Sequence, residues 1–210
     1  MSKITIVIAG DANFKKYVEQ GVRWNTKLDY PSLVYDLGNL GFGKAFEGKV
    51  GNNTGAKIPC KPAIIYDALC QIDDNEFLVW LDADALIFEK IDEIVDDYDI
   101  GVTVRIPKDI ENSLPINAGI VFFRKSQKVL EFVNTWKNLS ETGPSDQPPL
   151  NALCQVTSKD RGQTVLRGDL KIRVYPCEIY NNMYKKNHEN AKIKHYKSKR
   201  RHLYPLEDLS

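Results

Sequence analysis

Asp82 and Asp84 stand one residue apart at the end of an apolar run, Phe77 to Leu81, within the stretch F-L-V-W-L-D-A-D-A-L-I-F. In an extended backbone, side chains two apart point to the same side, so the two carboxylates can converge on one point. Carboxylates brought that close repel unless a cation stands between them. A hard divalent ion with oxygen ligands, Mn2+ or Mg2+, suits such a site. The apolar run reads as a strand buried on both faces, and open α/β sheets bind their ligands beyond the carboxyl ends of such strands. A solvated surface turn is the plain alternative for two neighbouring acids, and the strand in front of them weighs against it.

Other metal and acid motifs fit less well. A calcium loop starting at Asp82 would place Glu93 at its twelfth position, but Ile87 stands where its turn glycine belongs. Phosphatases that phosphorylate an aspartate carry D-x-D near the N-terminus, followed by Thr or Val two residues on. Here the pair is mid-chain and followed by Ala85 and Leu86. Cys60, Cys70, Cys154 and Cys177 form no C-x-x-C pair, which argues against zinc. Their scatter fits buried thiols in a reducing compartment, with two disulfides left open on sequence alone.

Elements that alternate between strand and helix must position the acid pair. Ile4 to Ala9 reads as a buried β-branched strand, followed by a turn at Gly10, Asp11 and Asn13. No G-x-G-x-x-G is present, so a dinucleotide site lacks its phosphate cradle. Phe14 to Val22 follows helical spacing, and Leu33 to Leu37 reads as a second strand. Gly38 to Gly55 is glycine-rich and reads as a mobile loop. Lys61-Pro62 opens a helix whose apolar face is Ile64, Ile65, Ala68, Leu69 and Ile72. Lys61, taken alone, reads as solvated, with a phosphate partner as the alternative.

Beyond the acid pair, Ile91 to Tyr98 is predicted helical and Ile100 to Val104 a strand. Arg105 to Pro115 reads as a loop and a lid. Ile116 to Gly119 leads into Ile120 to Phe123, another strand, and Ala118 and Gly119 leave room for a ligand to approach the backbone. Ser126 caps a helix with Val129, Val133 and Trp136 on one face, Trp136 reading as core. Gly143 to Gln147 turns into a helix burying Leu150, Leu153 and Cys154, where Asp146 has the position of an N-terminal cap. Leu170 to Tyr175 and Ala191 to Tyr196 close the strand set, with His195 near the end of the last. The pattern predicts an α/β fold with a mixed, mostly parallel central sheet flanked by helices.

The totals narrow the function classes. The chain has 210 residues, 42% hydrophobic and 27% charged, as expected for one globular domain over 1–210 or a domain cut from a longer chain. A net charge of +1 offers no bulk attraction for nucleic acid or membrane. The N-terminus is too short in apolar residues for a signal peptide, and no segment is long enough to span a bilayer. A soluble, cytoplasmic protein is the expectation.

Five segments, in order, resemble the GT-A glycosyltransferases, which use nucleotide-activated sugars and a divalent metal. Lys61-Pro62 before a helix and W-L-D-A-D-A-L at Trp80 to Leu86 resemble the retaining galactosyl- and xylosyltransferases, as does N-A-G-I-V-F-F-R-K-S at Asn117 to Ser126. D-Q-P-P-L-N at Asp146 to Asn151 resembles the D-Q-x-x-L-N element of glycogenin-like enzymes. His195, Ser198 and Arg201 fall on the spacing of an H-x-x-G-x-x-K element, with Ser and Arg in place of Gly and Lys. The anchor-free chain also resembles soluble transferases encoded by large DNA viruses of green algae, which build capsid glycans.

The resemblance implies a Rossmann-like GT-A domain that takes a UDP-sugar donor and a glycan or glycoprotein acceptor, with retention at the anomeric carbon. Asp82, Asp84 and His195 would hold Mn2+ or Mg2+, with His188 or His202 as the fallback nitrogen ligand. Lys199 and Arg201 would contact the diphosphate, and Lys61 would lie against a phosphate. Ala9, Gly10 and Asp11 would hold base and ribose. Asn117, Ala118 and Gly119 would face the sugar. Asp146 and Gln147 would stabilise charge at the anomeric carbon, with the covalent role of either left open. Two rival classes remain. A sugar-1-phosphate nucleotidyltransferase needs a basic glycine loop that Gly10 to Phe14 does not supply. A non-catalytic glycan- or nucleotide-sugar-binding module would not need the acid pair.

Overall fold

The computed structural model describes residues 3–38, 60–107, 114–143, 145–183 and 189–206. The Gly38 to Gly55 loop, apart from Gly38, lies outside the described residues, as do His188 and residues 108–113 of the predicted lid.

Among the described residues, seven strands form the central sheet: β1 (Ile4–Gly10), β2 (Ser32–Asp36), β3 (Phe77–Asp82), β5 (Ile100–Val104), β6 (Ile116–Arg124), β7 (Thr164–Arg167) and β8 (Leu170–Pro176). Their order is β2-β1-β3-β6-β5-β8-β7. β1, β2, β3, β5 and β8 run one way, while β6 and β7 run against their neighbours. The sheet is therefore mixed with one dominant direction. β4 (Ala85–Ile87) pairs antiparallel with β9 (Ile193–His195) as a separate ribbon.

Strand alternation divides the core into two layers. Val7, Ala9, Leu78 and Trp80 pack with α2 (Cys60–Gln71), α3 (Gln127–Glu141) and α4 (Gln147–Cys154). Ile6, Ile8, Phe77, Val79 and Leu81 pack on the opposite face with Val18 of α1 (Lys15–Lys27) and with the β4–β9 ribbon. The short α5 (Cys177–Tyr180) follows β8. Helices thus cover both faces of the sheet, as buried parallel strands require. None of the four cysteines is in a disulfide; three are buried and Cys70 is exposed. No described helix is long and apolar enough to cross a membrane.

One predicted element is absent and one observed strand was not predicted. Ile91 to Tyr98 is not a helix; only a single 3-10 turn, Asp92–Ile94, forms there. Its amides bond locally: Asp97 N–H donates to the Asp96 carboxylate at 2.7 Å, and Tyr98 N–H to the Asp96 carbonyl at 3.0 Å. Such local bonds compete with helix formation. The edge strand β7 escaped prediction because its residues are all exposed or half-buried, leaving little apolar signal.

Candidate active site

β3 ends at Asp82, and in register Ala9 of β1 lies beside it. β6 runs antiparallel, so its beginning, Ile116 to Gly119, reaches the same edge as the ends of β1, β3 and β5. Between β5 and β6 the register breaks: one step from Val102 to Thr103 is matched by the four from Val121 to Asn117. A bulge of this kind bends the strand and re-aims its side chains.

The acid pair converges differently from the expectation. β3 stops at Asp82, the chain turns through Ala83 and Asp84, and β4 resumes at Ala85. The turn, and not strand alternation, delivers Asp84. The Asp84 carbonyl accepts from the Tyr196 amide at 2.7 Å, which ties the turn to the end of β9. His195 sits opposite Ala85 in the ribbon. Its Nε2 is 3.0 Å from Asp84 Oδ1 and 3.8 Å from Asp82 Oδ2. Ligand atoms from Asp82, Asp84 and His195 all lie within 4.8 Å of one another. His202 is exposed on the 3-10 turn Ser198–Leu203 and does not join this group.

On one side of the pair lies a cation. Lys61 Nζ is 3.0 Å from Asp82 Oδ1 and 3.1 Å from Asp146 Oδ2, and it donates to the Ala118 carbonyl at 2.9 Å. The ammonium also stands 5.4 Å from the centre of the Trp80 ring. Trp80 Nε1 donates to Asp82 Oδ1 at 2.8 Å. Lys61 is therefore buried and paired, against the solvated reading. Burial works against its charge, but the Asp146 and Asp82 carboxylates outweigh it and hold its pKa above the ordinary lysine value. Burial pushes the Asp146 carboxyl up from its ordinary value, Lys61 pulls it back, and Asp82 adds to the rise.

Asp146 does stand at the N-cap of α4, but its side chain caps nothing and turns to Lys61 instead. Its carbonyl accepts from Trp136 Nε1 at 2.7 Å, so the core tryptophan also anchors the acid. Gln147 Oε1 faces the Ala118 amide at 3.5 Å. Asn151 bonds both backbone groups of Ile116, at 2.9 and 3.3 Å, and joins α4 to β6.

On the other side of the pair, Arg201 Nε donates to Asp84 Oδ2 at 2.7 Å, and its guanidinium lies 4.8 Å from the centre of the Phe14 ring. Burial opposes the Asp84 charge, yet His195 and Arg201 hold its pKa below the ordinary carboxylate range. The Lys199 side chain lies outside the described residues.

Gly119 departs from its predicted use. A Cβ there would overlap the His195 ring, reaching within 2.7 Å of Nδ1 and 2.9 Å of Asn117 Oδ1. The space above Gly119 is thus filled by a side chain of the protein itself. Gly10 is similarly enclosed, since a Cβ would come within 2.7 Å of Val18 Cγ2. Asp11 Oδ1 accepts from the Asn13 amide at 2.9 Å and shapes the turn after β1. Sequence reasoning missed Trp80 and Asn181 as partners of the site; Asn181 Oδ1 lies 2.9 Å from His195 Nδ1.

A sequence profile of the nucleotide-diphospho-sugar transferase family matches residues 72–202, which include Asp82, Asp84, Asn117, Asp146, His195 and Arg201. The chain belongs to that family. It is a nucleotide-sugar glycosyltransferase by that membership. No curated protein matches the transferase by sequence. Among solved structures it is similar to a glycosyltransferase involved in glycosylation of the major capsid of PBCV-1, at 19% identity and TM-score 0.61, covering 94% of this chain and 96% of that one. It is also similar to the glycosyltransferase GlyE of Streptococcus pneumoniae TIGR4, at 13% identity and TM-score 0.58, covering 95% of this chain and 55% of that one. An active-site mutant of the galactosyltransferase LgtC gives 12% identity and TM-score 0.55, covering 92% of this chain and 87% of that one. These likenesses establish a GT-A-type fold for the transferase.

Proposed function

We propose that the transferase is metal-dependent and moves a sugar from a UDP-sugar to a hydroxyl of a glycan or glycoprotein, with retention at the anomeric carbon. The observation that carries this reading is the meeting of Asp82, Asp84 and His195 at the carboxyl edge of the sheet, beside the buried Lys61–Asp146 pair. The donor set fits a divalent cation. Two carboxylate oxygens and an imidazole nitrogen face one another, and the nitrogen favours Mn2+ over Mg2+. When bound, such an ion neutralises charge on the departing diphosphate.

The remaining roles belong to side chains. Arg201, and Lys199 near it in sequence, meet the diphosphate as cations against a growing anion. Ala9, Gly10 and Asp11, beside Asp82 on the sheet edge, take the base and ribose. Asn117 and Ala118 border the sugar, while Gly119, covered by the His195 ring, backs the metal ligand. Asp146 and Gln147 face positive charge developing at the anomeric carbon. Lys61 holds the Asp146 carboxylate in one orientation and keeps it from Asp82, so the acid is preorganised without a moving partner.

Asp84→Ala tests the reading. The variant should keep the wild-type circular dichroism spectrum and lose Mn2+-dependent release of UDP from UDP-sugars to background. Turnover that survives in this variant, or wild-type turnover indifferent to chelator, would sink the metal assignment.

A further inference from the structure

We propose that Asn181 is the positioning residue of the metal centre: it holds the His195 imidazole with Nδ1 as hydrogen donor, so that Nε2, which faces Asp84 in this structure, is the nitrogen left for a cation between Asp82 and Asp84. The inference rests on the metal reading given above. It starts from a backbone amide, whose direction of donation has no alternative. The Gly119 N–H donates to Asn117 Oδ1 at 2.8 Å. That fixes the Asn117 amide, with its nitrogen 3.1 Å from Met183 Sδ. The Asn181 atom 3.1 Å from Asn117 Oδ1 must then be the NH2 group, which also donates to Thr103 Oγ1 at 2.8 Å. Asn181 Oδ1 is left facing His195 Nδ1 at 2.9 Å, and an amide oxygen only accepts. Nδ1 therefore carries the hydrogen.

Burial makes this chain of bonds rigid. Thr103, Asn117, Asn181 and His195 are all at most 2% exposed, so water offers no competing partner. The Asn181 amide donates to the Cys177 carbonyl at 2.9 Å, which pins the residue to the end of α5. Gly119 walls the imidazole from below, because any side chain there would overlap the ring. A histidine that ligates a metal through one nitrogen needs its other N–H held by an acceptor, and here that acceptor is a neutral amide tied back to the sugar-side strand. Asn181 thereby links His195 to Asn117, which the function proposed above sets beside the sugar.

Mn2+ titration calorimetry on the full chain tests the assignment with wild type, Asn181→Leu, Asn181→Asp and Asp84→Ala. Asn181→Leu should weaken Mn2+ binding about 10–100-fold, the usual effect of losing the partner of a ligating histidine. Asn181→Asp keeps an acceptor for Nδ1–H, at the cost of an oxygen facing Asn117 Oδ1, and should bind Mn2+ more tightly than Asn181→Leu. A packing role alone would give the opposite order, since Leu matches Asn in size and a buried carboxylate is costly. Binding by the Leu variant as tight as, or tighter than, the Asp variant overturns the proposal. If wild type binds no Mn2+, or Asp84→Ala binds it equally well, the metal reading fails instead. Proton–nitrogen correlation NMR of the metal-free protein then decides the positioning role. A hydrogen on His195 Nδ1 that Asn181→Leu removes supports it, and a bare Nδ1 in wild type overturns it.

Discussion

The two carboxylates of the acid pair belong to differently built halves of one site. Asp82 closes a strand of the central sheet, and its cation, Lys61, comes from the first turn of α2 and is only 12% exposed. The partners of Lys61 come from β3, β6 and α4, so one ammonium joins three elements of the main core. Asp84 sits past the sheet, in the turn before β4, and its partners come from the C-terminal segment. His195 arrives on a three-residue strand, and Arg201, 37% exposed, on a 3-10 turn. The first half is an ion network enclosed by packing. The second is a side chain cluster held by a short ribbon. Ligand-responsive regions come from the less tightly secured parts of a fold, and in the Asp84 half that part is the Arg201 turn, since Asp84 and His195 are themselves buried. Three substitutions ask whether this contrast is real.

Lys61→Met should have the largest effect on stability. It keeps the stem against Trp80 and removes the charge, leaving Asp146 buried beside Asp82 without compensation. Breaking a buried pair from one side costs about 3–5 kcal/mol. Urea denaturation would read this as a lower midpoint at unchanged slope. Adding Asp146→Asn to the same variant should recover part of the loss, because the uncompensated charge is then gone. A loss under about 1 kcal/mol would erase the difference between the halves, since exposed pairs are worth that much.

Gly119→Ala attacks the boundary between them. The new methyl overlaps the His195 ring, and either β6 or the imidazole must move. Overpacking of this kind costs about 1–3 kcal/mol. Mn2+ affinity should fall along with stability, whereas Lys61→Met should lower stability with the imidazole undisturbed. Unchanged Mn2+ affinity in Gly119→Ala would mean that the ring has freedom the packing does not suggest.

The same division governs what was legible in the sequence. β1, β3, β5 and β6 announce themselves because burial on both faces demands continuous apolar runs, and Asp82 is legible as the place where such a run stops. His195 could be picked out because it ends a short apolar-alternating segment. Lys61 could not be told from a solvated lysine without its partners, which are remote in sequence: Asp82, Ala118 and Asp146. Gly119 suggested an open approach for a ligand, since sequence shows that a side chain is missing but not what fills the gap. Asn181 carries no periodic or spacing signal at all, because its contribution is a direction of hydrogen bonding set by Gly119, Asn117 and His195 from two other strands. The Ile91 to Tyr98 helix failed for a local reason: the Asp96 carboxylate takes the Asp97 amide, which a helical ladder would give to the Glu93 carbonyl.

Arg201→Ala should have the smallest effect on stability, and that smallness is its value. The guanidinium is partly in water, and its contact with Phe14 is a cation–π contact at a part-exposed site. Each such contribution is worth about 0.5–1 kcal/mol, so the total loss should stay near that scale. Its pH dependence has a definite sign. Against the burial of Asp84, His195 and Arg201 depress the carboxyl in the folded state. The stabilisation from that depression is present above the ordinary carboxylate pKa and is lost as pH falls through the folded value. Removing Arg201 brings the folded pKa closer to the unfolded one, so acid unfolding should begin at a higher pH in Arg201→Ala than in wild type. Denaturation midpoints measured at neutral pH and along an acid series would check both parts. If the neutral-pH loss matched that of Lys61→Met, the Asp84 half would be as firmly built as the Asp82 half, and the Arg201 turn could no longer be regarded as the looser wall of the site.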